Sequence, residues 1–171
     1  MLESLLFFSS KGNNLHCVSV FDVDFANQNW KTNSDENTIF STNCDDLVYV
    51  PDNNFEQALI DLGYDTVLDD YVNKQNILNV TSLDVSNKQI TDLTGIEAFT
   101  ALENLNASNN NGLDDLNITT LTNLKILNIE NDLILGTIDI SKNAALEELY
   151  AGTNDFKSLD VTQNINLKKL D

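Results

Sequence analysis

Residues 80–101 read VTSLDVSNKQITDLTGIEAFTA, and the rest of the chain repeats their pattern. LENLNASNNNGLDDLNITTLTN follows at 102–123, LKILNIENDLILGTIDISKNAA at 124–145 and LEELYAGTNDFKSLDVTQNIN at 146–166, and LKKLD (167–171) opens one more unit. Each begins with an L-x-x-L-x-L skeleton: Val80/Leu83/Val85, Leu102/Leu105/Ala107, Leu124/Leu127/Ile129, Leu146/Leu149/Ala151, then Leu167/Leu170. A fixed period of about 22 residues is the mark of a solenoid, in which stacked units bury a core that no unit could bury alone.

The skeleton alternates with period two, so each unit is expected to hold one short strand, and the strands to stack in parallel. The skeleton residues then point inward and those between them line a concave face. Read by column, that face carries Ser82, Asn104, Ile126 and Glu148; then Asp84, Asn106, Asn128 and Tyr150; then Ser86, Ser108, Glu130 and Gly152. After each strand comes Asn or a substitute (Lys88, Asn110, Asp132, Asn154); a side-chain amide there can bond the backbone of the neighbouring turn, and Lys88 departs from this as an edge repeat. Leu93, Leu116, Ile138 and Leu159 form a second buried row, with Ile96, Ile118, Ile140 and Val161 close behind. The return path is too short for a full helix, and extended or 3₁₀ segments are expected there.

Upstream, Val50-Pro51-Asp52-Asn53-Asn54-Phe55-Glu56-Gln57-Ala58-Leu59 reads as a helix start that Gly63 stops. Phe55, Leu59 and Leu62 build one apolar stripe, which suits a helix capping the first repeat while its acidic face meets water. Residues 65–79 read as a connector or short helical turn. Residues 1–47 read as the tail of an earlier array: Leu2-x-x-Leu5-x-Phe7 and Leu15-x-x-Val18-x-Val20 repeat the skeleton. Phe21 to Cys44 then loses the period but keeps Phe25, Trp30, Ile39 and Phe40, as an end cap would. If Cys17 and Cys44 pair, the closed loop contributes roughly 3–4 kcal/mol on the chain-entropy estimate. The alternative is two separately buried thiols.

The charge balance narrows the partners. The chain has 171 residues, with 27 Asp plus Glu against 9 Lys and no Arg, for a net charge of -18. Phosphate backbones require basic residues, so nucleic acid is not an expected partner. Anionic membrane surfaces are disfavoured in the same way, and no apolar run is long enough to insert. MLESLLFFSSKG lacks the basic start and the apolar length of a signal peptide.

Catalytic patterns are scarce. The one histidine, His16, adjoins Cys17, but neighbours on a strand face opposite sides, so a Cys–His nucleophile is not expected. No phosphate-cradling loop, zinc helix or nucleophile elbow occurs. Asp61, Asp65, Asp69 and Asp70 lack the spacing of a calcium helix-loop-helix, and Asp114-Asp115 and Glu147-Glu148 diverge on a strand. These read as solvated acidic faces. No enzyme activity, metal or cofactor is expected.

VYVPDNNFEQALIDLGYD, then VTSLDVSNKQITDLTGIEAFTALENLNASNN, then SLDVTQNINLKKLD together resemble secreted or cell-surface leucine-rich-repeat proteins of Gram-negative bacteria, broadly similar to internalins. LHCVSVFDVDFANQNW and FSTNC look like the disulfide-bearing cap that closes arrays in such proteins. The resemblance implies a leucine-rich-repeat solenoid with parallel strands on its concave face and a short N-terminal cap helix. It implies three segments: 1–47, the end and C-terminal cap of a preceding array; 48–79, a cap helix and connector; 80–171, four repeats and a truncated fifth. It further implies a secreted or cell-surface adhesion module. Such a module binds protein or polysaccharide on the concave face through Ser82, Asp84, Asn104, Asn106, Ile126, Asn128, Glu148 and Tyr150, with Tyr150 as the aromatic anchor. The other functions weighed are an accessory substrate-binding module of a larger secreted hydrolase and a structural spacer. Because both ends cut into repeats, the chain is expected to continue at each end.

Overall fold

The computed structural model describes residues 8–13, 15–36, 38–110, 112–113 and 116–171. The expected skeleton at Leu2, Leu5 and Phe7 and the Asp114-Asp115 pair lie outside them. The chain divides into two compact units, Met1–Leu47 and Val48–Asp171.

In the first unit, β1 (Cys17–Ser19) runs parallel to β2 (Ile39–Ser41), and α1 (Val23–Asn29) lies between them in sequence. Asp22 starts α1 by accepting the Phe25 N–H at 2.8 Å. The apolar residues gather around Trp30: its ring stacks on Phe8 (5.4 Å) and meets Phe25 (5.5 Å) and Phe40 (6.1 Å) edge-on. Cys17 and Cys44 form a disulfide, which settles the choice between a clip and two thiols. Buried Thr38 donates its hydroxyl to the Leu15 carbonyl at 2.7 Å. The leucine side chain itself is 42 % exposed, so the skeleton read at Leu15 does not continue an inward leucine column. Among the described residues of this unit, the ring cluster supplies the aromatic contacts.

The second unit begins at β3 (Leu47–Tyr49), which pairs with β4 (Tyr71–Asn73). Between them α2 (Asn53–Asp61) starts on Asp52, whose Oδ1 accepts the N–H groups of Asn54 and Phe55. Oδ2 of the same carboxylate reaches forward to the Thr91 N–H and hydroxyl and the Asp92 N–H, tying helix to first repeat. Burial works to raise the Asp52 carboxyl, but these donors outweigh it and hold it below the usual range. Gly63, at φ +81°, ends α2: its N–H returns to Ile60, and that of Tyr64 to Leu59.

The buried face of α2 is Phe55, Glu56, Ala58 and Leu59. Two expectations are corrected there. Leu62 is 46 % exposed, because the chain leaves the helix at that residue. Glu56 is fully buried instead of facing water, since its carboxylate accepts the N–H groups of Asp69 (2.7 Å) and Tyr71 (3.2 Å). A short helix, α3 (Lys74–Ile77), completes the connector.

The repeats then supply β5 (Ser82–Asp84), β6 (Asn104–Asn106), β7 (Ile126–Asn128), β9 (Glu148–Tyr150) and β11 (Lys169–Leu170) to one parallel sheet in sequence order. A second, small parallel pair forms between β8 (Leu135–Gly136) and β10 (Asp155–Phe156). Leu83, Leu105, Leu127 and Leu149 are in direct register and buried, as are Leu93, Leu116 and Ile138 in the second row. The return path is a 3₁₀ turn at Ile96–Ala98, and the later repeats show the same i+3 to i hydrogen bond: Leu121 to Ile118, Asn143 to Ile140, Asn164 to Val161. Gly95 (φ +104°) precedes the first such turn, and a Cβ there would stand 2.8 Å from the Tyr49 carbonyl oxygen. Only glycine allows that approach.

Two side-chain ladders satisfy the backbone between coils. Asn87, Asn109, Asn131 and Thr153 adopt positive φ near 60°, a conformation that asparagine tolerates well. The residues after the last three, Asn110, Asp132 and Asn154, form the first ladder, while Lys88 after Asn87 turns its ammonium to Asp61. Asn110 Nδ2 donates to the carbonyls of Val85 and Ala107, while its Oδ1 accepts from Lys88 and Ile90 N–H. Asn154 does the same with Ile129, Ala151 and Ile134. The second ladder was not read from the sequence. Asn143 Nδ2 bonds the carbonyls of Ile118 and Leu121, and Asn164 Nδ2 those of Ile140 and Asn143.

Asp132 occupies an asparagine place in the first ladder. Its Oδ1 accepts the Asn110 N–H at 2.6 Å, but Oδ2 is buried without a partner. Burial pushes this carboxyl up to about 6, against the opposing hydrogen bond. A raised carboxylate pKa opposes folding above the folded-state pKa, and the penalty fades as pH falls toward the unfolded-state value. Two pKa units correspond to about 3 kcal/mol. Asp132→Asn, whose amide would meet the carbonyls of Ala107 and Ile129 by repeat equivalence, is therefore expected to raise stability by roughly 1–3 kcal/mol at pH 7. Urea unfolding at pH 7 and pH 4.5 checks this: the gain over wild type should shrink at the lower pH.

Candidate functional site

Parallel pairing in register places the outward residues of the large sheet in straight columns. One runs Ser82, Asn104, Ile126, Glu148 and ends at Lys169; the next runs Asp84, Asn106, Asn128, Tyr150. All eight residues read from the sequence as a binding face thus lie on one side of one sheet. Seven of them, all but Glu148, line a hollow of about 390 Å³, whose floor includes Leu83 and Leu105.

The polar side chains of the second column are held by the turns that follow them. Asp84 Oδ1 accepts the N–H and hydroxyl of Ser86, Asn106 Oδ1 those of Ser108, and Asn128 Oδ1 the Glu130 N–H. These are Asx turns, and they fix which atom of each side chain faces outward. Burial tends to raise the Asp84 carboxyl, but hydrogen bonds from Ser86 and Asn106 keep it below its ordinary value. The hollow therefore offers a carboxylate and a row of oriented amides beside one isoleucine.

Tyr150 closes one side of this face and is not an isolated ring. Its hydroxyl donates to Glu148 Oε2 at 2.6 Å, and Lys169 Nζ donates to the hydroxyl at 3.1 Å. The same ammonium lies 4.2 Å from the ring centroid, a cation–π distance. The hydrogen bond to Tyr150, followed by nearby negative charge, raises the Lys169 pKa. Lys169 was missed in the sequence because the columns were read over four repeats only. The signal was its place one residue before Leu170, equivalent to Glu148 before Leu149.

A further column of alternating charge borders the strands. Lys125 pairs with Glu103 and Lys168 with Glu147, each at 2.7 Å. All four side chains are substantially exposed, so these pairs set register more than they stabilise. At His16–Cys17 the disulfide consumes the thiol, which removes the nucleophile of any Cys–His chemistry.

No protein-family model matches the chain, and no curated protein matches it. Among solved structures it is similar to an internalin, InlF, from Listeria monocytogenes, at 23 % identity and a TM-score of 0.47, over 71 % of this chain and 43 % of that one. It is also similar to the functional domain of InlJ from Listeria monocytogenes, which includes a cysteine ladder, at 22 % identity and a TM-score of 0.35, over 73 % of this chain and 47 % of that one. The chain spans less than half the length of either protein.

The Glu148–Tyr150–Lys169 group yields a direct test. Tyr150→Phe removes the hydroxyl that raises the lysine, so the Lys169 titration should move down toward the ordinary lysine value. A side-chain NMR titration of the ammonium reads this, and the other lysines should not shift.

Proposed function

We propose that residues 48–171 form the capped start of a leucine-rich-repeat solenoid and act as a non-enzymatic binding module. Its binding face is the pair of columns containing Ser82, Asp84, Asn104, Asn106, Ile126, Asn128, Glu148 and Tyr150, and its partner is a polar extended chain, protein or glycan. The observation that carries this reading is the hollow of about 390 Å³ lined by side chains held in place beforehand. The sheet's own pairing satisfies the strand backbone, and the turns hold one oxygen of each second-column side chain, so that a partner meets side chains of fixed orientation. Side chains already ordered by Asx turns lose little entropy on binding, which favours recognition over a face of mobile side chains. Tyr150 adds the aromatic surface on which binding energy concentrates.

The disulfide supports a secreted or cell-surface setting, because such bonds persist in oxidising compartments. Among the described residues no helix is long and apolar enough to cross a membrane. The absence of arginine and the net charge of -18 point to a partner that does not depend on phosphate or other anionic contacts.

Immobilised glycan and peptide libraries, probed with the whole chain, test the proposal. Ligands of this face are expected to lose at least tenfold in affinity with Tyr150→Ala and again with Asn106→Lys, while thermal unfolding stays close to wild type. Binding that survives both substitutions unchanged would move the function to another surface.

A further inference from the structure

The connector between α2 and β4 gathers three carboxylates that the binding face does not use. Glu56, Asp65 and Asp69 each bring one oxygen within 4.8 Å of the others. They come from different places: Glu56 from the inner face of α2, Asp65 and Asp69 from the loop between α2 and β4. Glu56 is fully buried. Its Oε1 is occupied by the N–H groups of Asp69 and Tyr71, while Oε2 is buried with no hydrogen-bond partner. Asp65 Oδ2 is likewise buried and unpartnered. Asp69 Oδ1 accepts the Tyr71 N–H at 3.2 Å and thereby holds its carboxylate at the cluster.

Such an arrangement is costly for the bare protein. Two buried oxygens go without donors, and three like charges converge at a distance where a water-filled surface would let them separate.

We infer that Glu56, Asp65 and Asp69 bind one divalent cation, Ca²⁺, pinning the connector loop onto the buried face of α2. The donor set is all oxygen, which suits a hard cation and excludes the nitrogen and sulfur ligation that zinc favours. Calcium takes oxygens at about 2.3–2.6 Å, so its ligands lie up to about 5 Å apart; magnesium at about 2.1 Å demands a tighter, near-ideal octahedron. The loop origin of two ligands favours the larger ion, whose coordination is the more flexible. Three protein carboxylates leave the other positions of a six- to eightfold sphere to water or backbone carbonyls. By sequence, Asp65 and Asp69 read as a solvated acidic face because the loop lacks the helix-loop-helix spacing, and the decisive ligand, Glu56, looks like a surface helix acid.

Calorimetric titration of CaCl₂ into the whole chain, in 5 mM MgCl₂ to occupy diffuse acidic sites, tests the inference together with thermal unfolding. One Ca²⁺ per chain is expected, with a midpoint rise of several degrees. Asp65→Asn and Glu56→Gln should each weaken binding at least tenfold and abolish the thermal shift. Asp65→Asn is the safer variant, since Glu56 also anchors two backbone N–H groups. Absence of one-to-one binding, or a shift that persists in Asp65→Asn, overturns the inference. So does a rise in the metal-free midpoint of both variants with no calcium response, since the cluster would then be relieved by a shared proton. Because the strand face is not involved, glycan or peptide binding by that face is judged separately.

Discussion

Everything in the repeat unit depends on satisfying the backbone between coils. Parallel strands pair along one edge of each coil, but the turns that follow are buried against their neighbours and have no ladder of their own. Buried carbonyls left without donors would each cost on the order of 1–3 kcal/mol. The amides of Asn110, Asn154, Asn143 and Asn164 donate to such carbonyls, each reaching at least one in the preceding coil. Leucine burial drives the stacking; the amides decide that it occurs at one spacing and in one register.

The same logic explains how α2 attaches to the first repeat. The Asp52 carboxylate uses one oxygen to start α2 and the other to hold Thr91 and Asp92. Phe55 and Phe99 add ring contact at 6.5 Å across the same junction. Helix and first repeat therefore share a single charged group, and neither terminates its own hydrogen bonds alone.

Much of this was legible in the sequence, for a physical reason. A period of about 22 residues forces equivalent positions into columns, so strand faces, buried rows and the Asn110 ladder can be read by alignment alone. Departures from the period were not legible. Glu56 looked like a solvent-facing helix acid because the loop that covers it comes from residues 69–71, a tertiary contact with no local signal. Asn143 and Asn164 escaped notice because the equivalent earlier positions, Phe99 and Leu121, are apolar, which hides an amide column inside a hydrophobic one. Lys169 lay past the last complete repeat. Among the described residues of the first unit, a ring cluster around Trp30 gathers Phe8, Phe25 and Phe40; aromatic contacts of that kind leave no spacing to read.

The two amide ladders also give the stack a polarity. Repeats joined only by leucine columns would be interchangeable front to back. Asn110, however, addresses the Val85 carbonyl in the coil before it, Asn143 the carbonyls of Ile118 and Leu121, and Asn164 those of Ile140 and Asn143. A unit carrying such an asparagine therefore needs a neighbour on one particular side, and reversing the order of two coils would leave its amide without those acceptors.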